Sequence, residues 1–379
     1  FYMHRRISWE PKTAVFDLDD ESDRSIWAAK YPCDCSRMNT SIVLYDQMER
    51  VAFTDTHCEY SMKENEALFI FCVKSAYEGS HLTHNVSSKN RYINILDEKA
   101  VRRFLDVCYE PIVKEVPEAY KNAHAVFTDE PSLQTPYIQG DEVWPYALAP
   151  WVDGLFEKFE DEYGYSLLPY LPMIFEGRSS SYTVRVHFYQ LIGKLIAGNY
   201  VKQISDWCEE HGTCFSGHYL AEESLRAHVL YYGSYLEVLR AAGYPGVDVL
   251  ASYPDIYHHN TTRFAQMAAR KNGTNGVMVE LCPFINMDHF SKHPVRYAAG
   301  ILSLLYLGGC RCVNSYFSSD FSAYHPEALK GYQGFMSREQ SIWLNEYTGR
   351  LGSMLDQAGN ECGTFVYYAP VSYTHLTLP

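Results

Sequence analysis

Ala125-Val126-Phe127-Thr128-Asp129-Glu130-Pro131 is a short apolar strand that stops abruptly at two acids and a proline. Proline lacks an N–H and cannot continue a central strand, so the strand ends there with a carboxyl group at its C-terminal tip. Further along, Gly276-Val277-Met278-Val279-Glu280-Leu281-Cys282-Pro283 repeats the design. Parallel α/β folds assemble their active sites at C-terminal strand ends. Two glutamates at such ends suit glycoside hydrolysis, in which one acid protonates the leaving oxygen and a second carboxylate serves as nucleophile or as base for water.

Outward from these strands, the pattern from Pro131 onward alternates long amphipathic helices with short apolar strands, which predicts parallel βα units. Helices are expected over Asp97 to Val116, with Asp97 as N-cap, Trp151 to Tyr163, Tyr182 to His211, Ser224 to Ala242, Thr262 to Lys271 and from Pro294 to Gly308. Between them the expected strands are Thr213 to Gly217, Gly246 to Leu250, Gly276 to Leu281 and Cys310 to Tyr316. With the strand ending at Glu130 they repeat about every 30 residues over the last four, the spacing of a (β/α)8 barrel. A doubly wound sheet would carry a glycine-rich phosphate loop, and neither GxGxxG nor GxxxxGK[ST] occurs in that context. The fold class is therefore α/β, a partial (β/α)8 TIM barrel comprising about strands four to eight, with a small β-rich inserted segment near the N-terminus. Residues 1–90 form that segment, where Thr40 to Leu44, Arg50 to Phe53 and Ala67 to Val73 read as short strands and the first residues open no recognisable element. Residues 91–360 form the barrel portion, and 361–370 start a truncated following domain.

With 379 residues, 47% of them hydrophobic, the chain is long enough for a large core. Its net charge of −14 disfavours nucleic acid as a partner. No apolar run approaches the roughly 18 residues of a membrane helix, so a soluble chain is expected. Eleven cysteines, without the dense framework of a small disulfide scaffold, point to reduced core thiols and hence to a cytoplasmic compartment over export. Cys33-x-Cys35 and Cys310-x-Cys312 are too closely spaced for CxxC loops, and the latter pair fits alternate positions of one strand. Both ends look cut: the chain begins at Phe1, and Val371 to Pro379 resembles a translated sequencing adapter, so 371–379 are set aside as an artefact. An isolated five-stranded portion would leave strand edges unpaired, and poor stability and no activity are expected of it alone.

The carboxylates stand on the fourth and seventh strands of such a barrel. That placement resembles the large clan of barrel glycosidases with an Asn-Glu acid/base motif after strand four and a nucleophilic Glu on strand seven, Asp129 standing where the Asn would be. Asn94-Ile95-Leu96-Asp97, Phe127 to Pro131, Tyr163-Gly164-Tyr165 to Leu171-Pro172, Ser216-Gly217-His218, Pro245-Gly246-Val247-Asp248 and Glu346-Tyr347-Thr348-Gly349-Arg350 together resemble bacterial glycoside hydrolases of the α-L-rhamnosidase family 106. The resemblance implies a carbohydrate substrate, an inverting enzyme and associated calcium, although the residues themselves require no cofactor. A strand-four and strand-seven pair implies a retaining enzyme, so Glu280 is either nucleophile or general base; carboxyl separations of about 5–5.5 Å or about 6.5–9.5 Å distinguish the two.

Around the catalytic pair Glu130 and Glu280, further substrate-binding candidates are Asp129, Trp144, His218, Glu222, Asp248, Asn314 and Tyr316. His218, past a strand tip, would hydrogen-bond a hydroxyl or tune a carboxylate. Glu222 and Glu223 open the next helix, where capping competes with substrate or calcium contact. Asp248 lies within an apolar strand, where an acid is costly unless paired. Asn314 and Tyr316 alternate near the last strand end, and Trp144 offers a stacking platform. Trp207 and Trp343, at helical spacings, read as core. Two other readings compete: a metal-dependent barrel hydrolase using His218, His258, His259 and Asp248, and a non-catalytic carbohydrate-binding barrel. No HExxH motif supports the first.

Overall fold

The structure, a computed structural model, describes residues 1–18, 24–34, 42–52, 57–73, 92–133, 147–175, 181–249, 259–281, 293–315 and 336–356. The first seven strands are β1 (Tyr2–Ser8), β2 (Lys12–Asp17), β3 (Arg24–Asp34), β4 (Ile42–Val43), β5 (Glu49–Arg50), β6 (His57–Met62) and β7 (Glu66–Val73). They form an antiparallel sheet in the order β1-β7-β3-β4, with β5 also on β3, beside a β2–β6 pair. Strand β7 shows why its run is continuously apolar. Ala67, Phe69 and Phe71 enter the main core while Leu68, Ile70 and Cys72 enter a second cluster with Ala14, Phe16 and Met62, so both faces are dry. Contrary to the expectation, the first residues are strand: Tyr2 through Ser8 pair with Cys72 through Glu66.

The second sheet is parallel, in the order β12-β11-β10-β9-β8: β8 (Val126–Asp129), β9 (Phe215–His218), β10 (Tyr244–Val249), β11 (Val277–Leu281) and β12 (Cys310–Ser315). Helices connect them, which gives a mixed α/β fold with a five-stranded parallel sheet as in part of a barrel. Among the described residues β8 and β12 are the sheet's two edges. Val247, Val249, Val277, Val279 and Leu281 all lie in the main core on the helix-facing side, each worth at most about 1.5–3 kcal/mol of burial.

The helix over Glu98–Phe104 is capped by Asp97, whose carboxylate accepts the Lys99 N–H at 2.9 Å, and continues through a π-turn to Glu115. The segment Tyr182–Leu195 likewise runs on through Ile196–Lys202 and Gln203–Glu210. The helix expected over Ser224 to Ala242 is two, Leu225–Leu230 and Tyr235–Ala241. The break falls at Gly233, whose φ is +66° and whose missing Cβ would lie 2.5 Å from the Gly193 nitrogen and the Tyr189 carbonyl. Two backbones meet there, and only glycine fits.

Cys310 and Cys312 do not share a face. The register shifts from Val277↔Cys310 to Met278↔Cys312, so Arg311 is a bulge that sends Cys310 into the core and aligns Cys312 with Met278. The described cysteines are free thiols. Trp207 is buried, but Trp343 is 45% exposed, because the helix Arg338–Asp356 packs against Pro294–Leu307 through Leu344, Tyr347 and Gly352 and turns Trp343 outward. No described helix is long and apolar enough to cross a membrane.

Candidate active site

On the parallel sheet, residues alternate between the helices and the opposite face. Phe215 and Val247 take the helix side, as does Thr128, whose hydroxyl lies 3.3 Å from that of Tyr200. The opposite face therefore receives Phe127 and Asp129 from β8, Ser216 and His218 from β9, Gly246 and Asp248 from β10, Met278 and Glu280 from β11, and Cys312 and Asn314 from β12. Register aligns Asp129 with His218, and Asp248 with Glu280 and Asn314. The last position of that face on every strand is polar.

His218 is the hub. It is 1% exposed, its Nε2 lies 3.0 Å from Glu280 Oε2 and 3.3 Å from Asp129 Oδ1, and its ring meets Phe127 edge-on at 5.4 Å. The pair Pro245↔Gly217 places Gly246 beside His218, between β9 and β11. With no side chain there, the imidazole reaches Glu280 across the intervening strand. A Cβ on Gly246 would sit 2.4 Å from the Gly217 carbonyl and 2.7 Å from Met278 Cε. Burial opposes charge on His218, but the Glu280 hydrogen bond and the surrounding carboxyls outweigh it and raise the pKa to about 9. The Glu280 side chain is 13% exposed, so this ion pair is shielded, whereas Asp129, at 73%, is solvated and adds little.

Glu130 follows β8. Its amide donates to the His218 carbonyl at 3.3 Å, and its φ of +49° is unusual for any L-residue and more so before proline. Such a backbone costs roughly 1–3 kcal/mol and recurs at functional sites. Burial pushes its carboxyl up to about 7, against the pull of His218. Burial does the same to Asp248, also to about 7, and its Oδ1 is buried without a hydrogen-bond partner. Two carboxyls with pKa values near neutrality thus come from β10 and from just past β8, the strands on either side of His218, whose imidazole is paired with Glu280.

Glu222 is not placed as its sequence position suggested. It lies before the cap of the helix Leu225–Leu230, where Ser224 is the N-cap, and its carboxyl is 1% exposed inside the wall. Oε2 accepts the Tyr235 hydroxyl at 2.9 Å and Oε1 accepts the Asp248 amide. Burial raises its pKa well above the carboxylate range. Asn314 is exposed and in line with Glu280. Trp144, Tyr316 and His258 lie outside the described residues, as does the side chain of His259. Ser216, buried with an unpartnered hydroxyl two residues before His218 on the same face, was legible from strand alternation. Tyr235 and His228, which hold Glu222, carried no such signal.

Two groups have ligand atoms within 4.8 Å of one another: Asp129, Glu130 and His218, and His218, Asp248 and Glu280. Both include the imidazole. Calcium takes oxygen ligands, and each of these groups offers two carboxylates beside the imidazole.

No protein-family model and no curated protein matches the chain. Among solved structures, a rhamnosidase from Novosphingobium sp. PP1Y matches with a TM-score of 0.54 at 14% identity, over 83% of this chain and 30% of that one. The likeness is one of fold. The PgaB (BpsB) glycoside hydrolase domain from Bordetella bronchiseptica, also at 14% identity and over 70% of each chain, has a TM-score of 0.31, too low to carry an argument. The chain spans about a third of the length of the rhamnosidase it matches.

Proposed function

We propose that this chain carries the catalytic face of a glycoside hydrolase, with Glu130 as general acid and Glu280 as the carboxylate that attacks the sugar or activates water. The observation that carries this reading is geometric: Glu130 just past the tip of β8 and Glu280 near the end of β11 share one end of the sheet, with His218 bonded to both segments. Glu130 is half-buried, which raises its pKa to about 7, while Glu280 is held by the cationic His218 at 3.0 Å. Hydrolysis of a glycosidic bond needs this asymmetry of one acid and one anion across the sugar. Asp248, Asp129 and Asn314 adjoin Glu280 or His218 on the same polar row, where they would receive sugar hydroxyls. The residues quoted for the resemblance, together with the fold likeness, support an α-L-rhamnosidase-like enzyme as the finer reading.

The test is hydrolysis of a panel of aryl glycosides, α-L-rhamnoside included, by the full-length protein. Turnover of one of them is expected, and it identifies the sugar. A protein that binds the sugars but turns over none of them contradicts the enzymatic reading and favours a carbohydrate-binding barrel.

A further inference from the structure

Strand β9 ends at His218, and its ladder with β10 stops at the pair Pro245↔Gly217. Beyond His218, among the described residues, β10 has no strand on its β9 side, although it continues to Val249 and carries Asp248. A backbone N–H left in a buried wall without a partner is costly. The Asp248 amide is not left so, because Glu222 Oε1 accepts it. The carboxyl arrives there from a tight turn in which Ala221 has a φ of +53°, another backbone that L-residues seldom adopt.

Everything else about Glu222 fixes that carboxyl. Oε2 takes the Tyr235 hydroxyl at 2.9 Å, its own carbonyl lies 2.6 Å from His228 Nε2, and the His228 ring stacks on Tyr235 with centroids 4.3 Å apart. Glu222, His228 and Tyr235 are all at most 1% exposed. Substrate cannot reach such a group, so a contact role for Glu222 does not fit its burial.

We propose that Glu222 is a positioning residue: its side chain stands in for the missing stretch of β9 and holds β10 so that the Asp248 carboxyl lies level with Glu280. This rests on the glycosidase reading, in which Asp248 belongs to the row that meets the sugar. Because both oxygens act as acceptors or share a proton with a hydroxyl, an amide of the same shape can do the work. An alkyl group cannot.

The test compares Glu222→Gln and Glu222→Leu in the full-length protein, alone and combined with Asp248→Asn. Glu222→Leu is expected to lower kcat/KM about a hundredfold, the scale of a 1 Å misplacement, while Glu222→Gln loses less than about tenfold. In the Asp248→Asn background Glu222→Leu is expected to add little, because both changes act through one group. Equal losses in both backgrounds, or Gln as damaging as Leu, would overturn the proposal and leave the glycosidase reading standing. Hydrogen exchange reads the contact without any substrate. The Asp248 amide is expected to exchange at least about tenfold faster in Glu222→Leu while β11 amides keep their protection. Unchanged exchange at Asp248 also overturns the proposal, whether or not the protein cleaves a glycoside.

Discussion

The two sheets use the same physics to opposite ends. In the antiparallel sheet β7 buries both faces in hydrocarbon, and the acid at its start, Glu66, is answered by Lys30 at 3.4 Å. In the parallel sheet one face is equally dry, but the other ends in Asp129, His218, Asp248, Glu280 and Asn314 across five neighbouring strands. One imidazole faces four carboxyls if Glu130 is counted, so protons must fill the deficit of positive charge. The first sheet is built for stability and the second spends some of it on a charged row.

That contrast predicts separable failures. His218→Gln keeps a donor near Glu280 and removes the charge, so kcat is expected to fall roughly thirtyfold, the equivalent of about 2 kcal/mol for a charged hydrogen bond, with thermal stability changed little above pH 9, where the imidazolium's own contribution is gone. Ile70→Ala, in the second core cluster, should do the reverse. Removing a fully buried side chain there is expected to lower the unfolding free energy by about 2–5 kcal/mol while kcat of the folded fraction is kept. A variant in either sheet that lost both properties together would erase the distinction.

Stability against pH sharpens the comparison further. Glu130 and Asp248, with folded pKa values near 7 above ordinary values of 4.5 and 3.8, stabilise the fold in their protonated forms. That contribution is complete below about pH 4 and is lost as pH rises through 7. His218, raised from 6.5 to about 9, contributes fully below 6.5 and loses its contribution as pH rises through 9. All three push the same way. The unfolding midpoint is expected to decline from pH 6 to pH 9, and a double variant Glu130→Gln, Asp248→Asn should flatten the lower part of that slope.

Much of the parallel sheet was legible because its strands are short and largely apolar, and β8 and β11 run into an acid and a proline. The polar row followed from alternation alone, as with Asp248 between Val247 and Val249. What stayed hidden depends on contacts between distant segments. The break at Gly233 exists because the backbone of Gly193 lies against it, and the bulge at Arg311 changes which face Cys312 takes without changing the residues. Trp343 has helical spacing, but spacing does not say which flank of a helix meets a neighbour. Strands β1 and β2 escaped because their alternation is blurred: His4 and Ser8 occupy buried positions of β1, and Val15 is an exposed position of β2. Glu222 looked like a helix-start acid and is instead sealed in the wall by Tyr235 and the Asp248 amide.

The central claim is that Glu130 and Glu280 hold opposite ends of one reaction, and leaving-group dependence tests it most directly. The full-length protein and its Glu130→Gln and Glu280→Gln variants would be assayed on aryl glycosides whose phenols range from strongly to weakly acidic. General-acid help is worth about 10²–10⁴ where the leaving group needs a proton. Glu130→Gln is therefore expected to lose about that much on poor leaving groups and little on dinitrophenolate, whereas Glu280→Gln loses heavily on both. A Glu130→Gln loss that is the same for every leaving group would contradict the account.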